Sequence, residues 1–219
     1  MDLIYVLIPL VLVFLSQHYI KSTYSLYDSV KSRKNMSGFN AAKTIADKNK
    51  LNIKIEKTSG YLTDHFDPKL KVVRLSTNVY DKSSIASIAI AAHECGHVIQ
   101  HKEGYFLLRL RSFLAPIVSL TSTIGYMLIA IGALASISNQ ILIGIIIMGA
   151  SLLFQLVTLP VEFDASKKAK KILLKENIIT VEELPGVNKM LQSAAFTYVA
   201  SFLTSLTYLL RFLSMYRRK

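Results

Sequence analysis

Four apolar blocks, residues 3–20, 113–137, 141–161 and 194–213, punctuate a chain of 219 residues and leave little freedom in what it can fold into. A hydrocarbon core about 30 Å thick needs roughly 20 helical residues rising 1.5 Å each, and lipid offers the backbone no outside hydrogen-bond partner. The first block reads as an uncleaved anchor, because Asp2 replaces a basic n-region and no small-x-small cleavage site follows. The second and third, joined by Ser138-Asn139-Gln140, read as a transmembrane hairpin. There Gly125, Gly132, Ala133, Gly144 and Gly149 would let backbones approach closely. The fourth contains Thr197, Ser201, Thr204, Ser205 and Thr207, so it either spans or lies in the interface. The expected class is a mostly α integral membrane protein with about four transmembrane helices.

The formal charge of +12 does not imply nucleic acid: basic residues flank the apolar blocks and no recognition motif appears. Attraction to anionic headgroups of a lipid bilayer accounts for them. Lys21, Lys31, Arg33 and Lys34 follow the first block, Arg109 and Arg111 precede the second, and Lys167, Lys168, Lys170 and Lys171 follow the third. All fall on one side if the first three blocks span, and the positive-inside rule makes that side cytoplasmic in a multi-pass protein of the cell membrane. A single cysteine excludes an internal disulfide.

Between the first two blocks the chain is polar enough for a small soluble domain. Residues 38–49 predict a helix, and 51–56 and 71–75 predict strands separated by Gly60 and Asp67-Pro68. A strand pair here either offers a free edge to an extended peptide or simply packs. The loop Asp64-His65-Phe66-Asp67-Pro68 holds ligand-type side chains, as loops often do.

The chemistry concentrates in Ala92-His93-Glu94-Cys95-Gly96-His97. On a helix, positions four apart share a face, so His93 and His97 can aim at one ion, while Glu94 sits beside it without binding. This H-E-x-x-H pattern pairs two zinc-binding imidazoles with a glutamate base that takes a proton from the activated water. Ser83-Ser84 offers a cap, and Ile85, Ile88, Ala89, Ala92 and Gly96 form the stripe such a helix buries. Cys95 points away and reads as a small buried hydrophobe. His101 stands about 12 Å along the axis from His93, too far to share the ion. The longer metzincin pattern is excluded by Gln100 and Glu103, so the third ligand comes from elsewhere.

Zinc-protease sites commonly use three protein ligands plus water. Glu162 is the best-placed acid, emerging where the third block ends, on rigid scaffolding after Pro160. Asp164 should face the other way on a continuing helix, whereas Ser166 shares Glu162's face. Glu176, Glu182 and Glu183 look like solvated or helix-start charges, and Leu184-Pro185-Gly186 breaks the charged helix. The expected organisation is an anchor at 1–20, a zincin-like catalytic domain at 21–111 and a hairpin at 112–161. A third-ligand helix and connector at 162–191 and a final helix with a basic tail at 192–219 complete it.

The order of anchor, Gly60-Tyr61-Leu62-Thr63-Asp64-His65-Phe66-Asp67-Pro68, Leu75-Ser76, the His93–His97 motif, hairpin and Glu162-Phe163-Asp164-Ala165 resembles the YugP-type neutral zinc metallopeptidases of bacterial membranes. More distantly it is similar to the bacterial heat-shock membrane metalloproteases and the CAAX prenyl endopeptidases, with their later E-[FY]-x-A-D segment. The resemblance implies His93, His97 and Glu162 as zinc ligands and Glu94 as general base. It also implies that Asp64, His65 and Asp67 are a family signature, without supplying a role. Ser166 departs from the pattern, standing where those distant relatives place an aspartate that orients a ligand histidine.

The expectation is therefore a membrane-anchored zinc endopeptidase acting on peptide or membrane-protein substrates. His65, Tyr61 and Tyr198 are open candidates for the oxyanion donor. A non-catalytic zinc-binding scaffold or sensor is the main alternative, disfavoured because binding alone does not need Glu94. A transporter is disfavoured because the later blocks lack central charges.

Overall fold

The computed structural model describes residues 3–135 and 137–217, with the side chains of residues 120, 122 and 138 excepted. Asp2 and the terminal Arg218-Lys219 of the basic tail lie outside the described residues. Among the described residues, seven helices and three strands follow in the order α1 (Ile4–Asp28), α2 (Gly38–Lys48), β1 (Lys54–Thr58), β2 (His65–Asp67), β3 (Val72–Ser76), α3 (Thr77–Asp81), α4 (Ile85–Lys102), α5 (Phe106–Leu134), α6 (Ser138–Lys175) and α7 (Leu184–Arg217). They form two compact units, one of residues 1–17, 109–160 and 196–219 and the other of residues 18–108 and 161–195.

Among the described residues, three helices are long and apolar enough to cross a membrane: Ile4–Asp28, Asn139–Lys175 and Leu184–Arg217. A fourth span results if Phe106–Ser119 and Thr123–Leu134, bent by 41° from one another, count as one. In the apolar unit, Ile129, Ile141, Ile145 and Met148 form a buried cluster against Tyr208, Phe212 and their neighbours. A Cβ at Gly144 would stand 2.8 Å from the Gly125 carbonyl oxygen, so this pair does permit the close packing expected of small residues. Gly149, read the same way from sequence, faces open space.

The second unit is built around α4. Ser84 caps it, its hydroxyl accepting from Ser87 N–H. The stripe Ile85, Ile88, Ala89 and Ala92 is buried to within a few per cent, in one core with α2, β3 and the polar half of α6. β3 is the central strand, parallel to β1 and antiparallel to β2.

Three sequence expectations shift. β1 begins at Lys54 rather than Leu51, because Leu51 belongs to the end of α2. Lys50 takes φ 50° and Leu51 N–H donates to Ala46 O at 2.9 Å, a left-handed cap that returns an apolar side chain to the core. The loop at 64–68 contains a strand, β2, too short to leave a periodic signal. Pro185 does not break a helix but sits in the first turn of α7, where its missing N–H costs nothing.

Candidate metal centre

One helix turns His93 and His97 to the same side, their ring centroids 4.8 Å apart. α6 brings Glu162 to them: Oε2 lies 3.1 Å from His93 Nε2 and 3.7 Å from His97 Nε2. The side chain of Glu162 is 1% exposed, against 12% and 9% for the two histidines, so it is no solvated helix-end charge. Ligand atoms of the three residues all fall within 4.8 Å of one another, a group that could hold a metal ion. Ligands about 2.1 Å from a tetrahedral zinc stand roughly 3.4 Å apart, and the two Nε2–Oε2 separations straddle that value.

The opposite ring atoms are engaged by other side chains. Gln100 Nε2 donates to Val161 O and to Asp164 Oδ2, both at 2.8 Å. Its Oε1 must therefore be the atom 3.0 Å from His97 Nδ1, and Nδ1 carries the proton. Nε2 is then the ring nitrogen left to face the Glu162 carboxylate oxygen, 3.7 Å away, a pairing that a bound cation would bridge. His93 Nδ1 lies 3.2 Å from Ser166 Oγ, which can accept in the same way. Ser166, which departs from the expected pattern, thus still makes a contact to a histidine of the group.

Glu94 is buried, at 7% exposure, directly after His93 on α4 and outside the three-residue group. Cys95 is fully buried with Sγ 3.9 Å from Ala42 O, and burial pushes its thiol well above the ordinary range, as suits a core residue. His101 is exposed and meets Phe66 edge-on at 5.7 Å.

The remaining candidates have other partners. Asp64 accepts from Ser76 N–H at 2.7 Å and Ser76 Oγ at 3.1 Å. Asp67 Oδ1 accepts from the N–H groups of Lys69 and Leu70, which holds a turn. His65 Nδ1 donates to Thr63 O at 2.9 Å, and its Nε2 faces Arg74. These contacts brace the β2 region. Tyr61 stands edge-on to Tyr24 at 5.1 Å. Among the later acids Glu182 is exposed, but Glu183 is buried, accepting from Arg33 N–H and Thr180 N–H ahead of α7. Glu176, 11% exposed, pairs with Lys48.

Sequence reasoning missed Gln100 and the part played by Asp164. Gln100 entered only as the absence of a metzincin glycine, and nothing near it in sequence announces partners 61 and 64 residues away.

A mostly helical chain with candidate membrane spans and a buried His-His-Glu group defines a membrane protein with a zinc-compatible centre. The model of the family described as "putative neutral zinc metallopeptidase" matches residues 2–217, and the chain belongs to that family. It is 44% identical over 204 residues to the "putative membrane protease YugP" of Bacillus subtilis (strain 168), covering 93% of this chain and 91% of that protein. No solved structure matches it.

Proposed function

We propose that the protein is a membrane-anchored zinc endopeptidase in which His93, His97 and Glu162 hold the metal and Glu94 is the general base. The observation that carries this is the convergence of His93, His97 and Glu162, whose ligand atoms all lie within 4.8 Å of one another. With Nδ1 of His97 engaged by Gln100, its Nε2 faces the Glu162 carboxylate, next to a buried Glu94 on α4. Zinc, when bound, supplies Lewis acidity for the peptide carbonyl and lowers the pKa of a water molecule to about 7. Glu94 accepts the proton that water gives up as its oxygen bonds to the scissile carbonyl carbon. The same carboxyl then delivers that proton to the amide nitrogen as the C–N bond breaks. Ser166 and Gln100 keep both imidazoles pointed at the reaction. The outer strands of the sheet, β1 and β2, have edges that suit an extended peptide. In this reading the site lies on the cytoplasmic face of the cell membrane, and the three basic clusters flanking the apolar blocks support that side.

Purified full-length protein in detergent should contain zinc and cleave casein or a membrane-protein substrate in a zinc-dependent manner. Protein without zinc would end this reading. Stoichiometric zinc in a wild type that cleaves nothing would favour the scaffold or sensor instead.

A further inference from the structure

Gln100 is completely buried and every polar atom of its amide is committed. We propose that it is a positioning residue that locks the two ligand-bearing helices in register, setting the distance between His97 on α4 and Glu162 on α6. The inference rests on the zinc reading of the site.

Oε1 accepts from His97 Nδ1, so one end of the amide decides which ring nitrogen is free to bind a cation. Nε2 spends both protons on α6: one on the carbonyl of Val161, the residue immediately before Glu162, and one on Asp164, two residues after it. Glu162 is thus bracketed by the two atoms that receive Gln100. A second tie runs alongside. Lys168 Nζ reaches Asp164 Oδ2 at 3.3 Å and Glu103 Oε2 at 3.0 Å, joining α6 to the residue that caps the end of α4. A glutamine suits this position because it offers an acceptor on one side and two donors on the other. Glutamate would still accept from His97 but would oppose oxygen to the oxygens of Val161 and Asp164, while leucine would fill similar space and connect nothing.

The core-filling alternative and the positioning role separate by zinc competition against a chromophoric chelator, at fixed pH, on the full-length protein. Melting of the chelator-stripped protein reports the fold independently. Gln100→Leu and Gln100→Glu should each lose roughly 10- to 100-fold in zinc affinity, the range for partners behind metal ligands. Asp164→Asn in the Gln100→Glu background should recover part of it, since the new amide can donate to the new carboxylate. Leucine and glutamate variants that bind zinc as tightly as wild type would overturn the proposal. Should both fail to fold, Asp164→Ala carries the test: a several-fold loss of affinity supports the strut, and none overturns it. A wild type that binds no zinc would sink the zinc reading and this inference together. Equal affinities in wild type and variants would sink this inference alone.

Discussion

Gly96 lies against Ala165 so closely that a Cβ at position 96 would stand 2.5 Å from the Ala165 carbonyl oxygen. This contact, between one residue before His97 and one residue before Ser166, sets how near α6 can come to α4. Real Cβ atoms do not tolerate such a separation from backbone, so a methyl group here has to push the helices apart. Gly96→Ala should therefore cost about 1–3 kcal/mol of stability through overpacking. It should also lower zinc affinity, because the displaced helix carries Glu162. Melting and zinc competition measured together check this; a stable variant with wild-type affinity would mean that α6 does not need the glycine.

Glu94→Gln should keep stoichiometric zinc, because the residue lies outside the ligand group, and lose peptide hydrolysis by about 10²- to 10⁴-fold or more. Both proton acceptance and proton delivery vanish with the carboxylate. Turnover close to wild type in this variant would remove Glu94 as the base.

Glu162→Ala should weaken zinc binding more than any change at its neighbouring acids. Asp164→Ala should cost only several-fold, acting through Gln100. Glu183→Ala should leave affinity alone but lower melting, since the part-buried N–H groups of Arg33 and Thr180 lose their acceptor, at about 1 kcal/mol. Metal affinity and melting thus rank the three acids differently. Unchanged zinc affinity in Glu162→Ala would mean that another residue closes the site.

How much of this was legible follows from how local each relationship is. His93 and His97 could be paired from sequence because the helix itself supplies their spacing. Glu162 could be nominated because an acid at the end of an apolar block needs a reason, and its burial shows that it has one. Gln100 could not, because its meaning lies in a helix that begins 38 residues later and packs back. Leu51 misled for the same reason: its apolarity serves the end of α2, and only the left-handed Lys50 before it reveals this.

Asp64 gives a pH prediction. Burial raises its carboxyl, and hydrogen bonds from Ser76 offset that only in part. A carboxyl raised on folding favours the folded state below its unfolded pKa of about 3.9, and that contribution is lost as pH rises through the folded value. Asp64→Asn keeps an acceptor for Ser76 without the charge. Its stability relative to wild type should improve as pH climbs above about 4, and zinc affinity should not change. Melting from pH 3 to 7 is the test, and a variant that loses zinc would mean that Asp64 serves the metal centre.

The last prediction concerns sidedness. With Lys21, Lys31, Arg33 and Lys34, then Arg109 and Arg111, then Lys167, Lys168, Lys170 and Lys171 on one face, the rule for basic loops puts that face in the cytoplasm. Asn139, at the start of α6, would then face outward, while Lys171, near its other end, would face inward. α6 is long enough for both to hold, since 38 helical residues extend about 57 Å, well beyond the hydrocarbon. Cys95 is the only native cysteine and is buried, so a Cys95→Ala background leaves single engineered thiols readable. Both Asn139 and Lys171 are exposed, which makes accessibility to the reagent a matter of the membrane alone. In intact cells an impermeant maleimide should label Asn139→Cys and spare Lys171→Cys until the membrane is opened. Labelling at 171 with protection at 139 would invert the topology and put the His93, His97 and Glu162 group outside the cell.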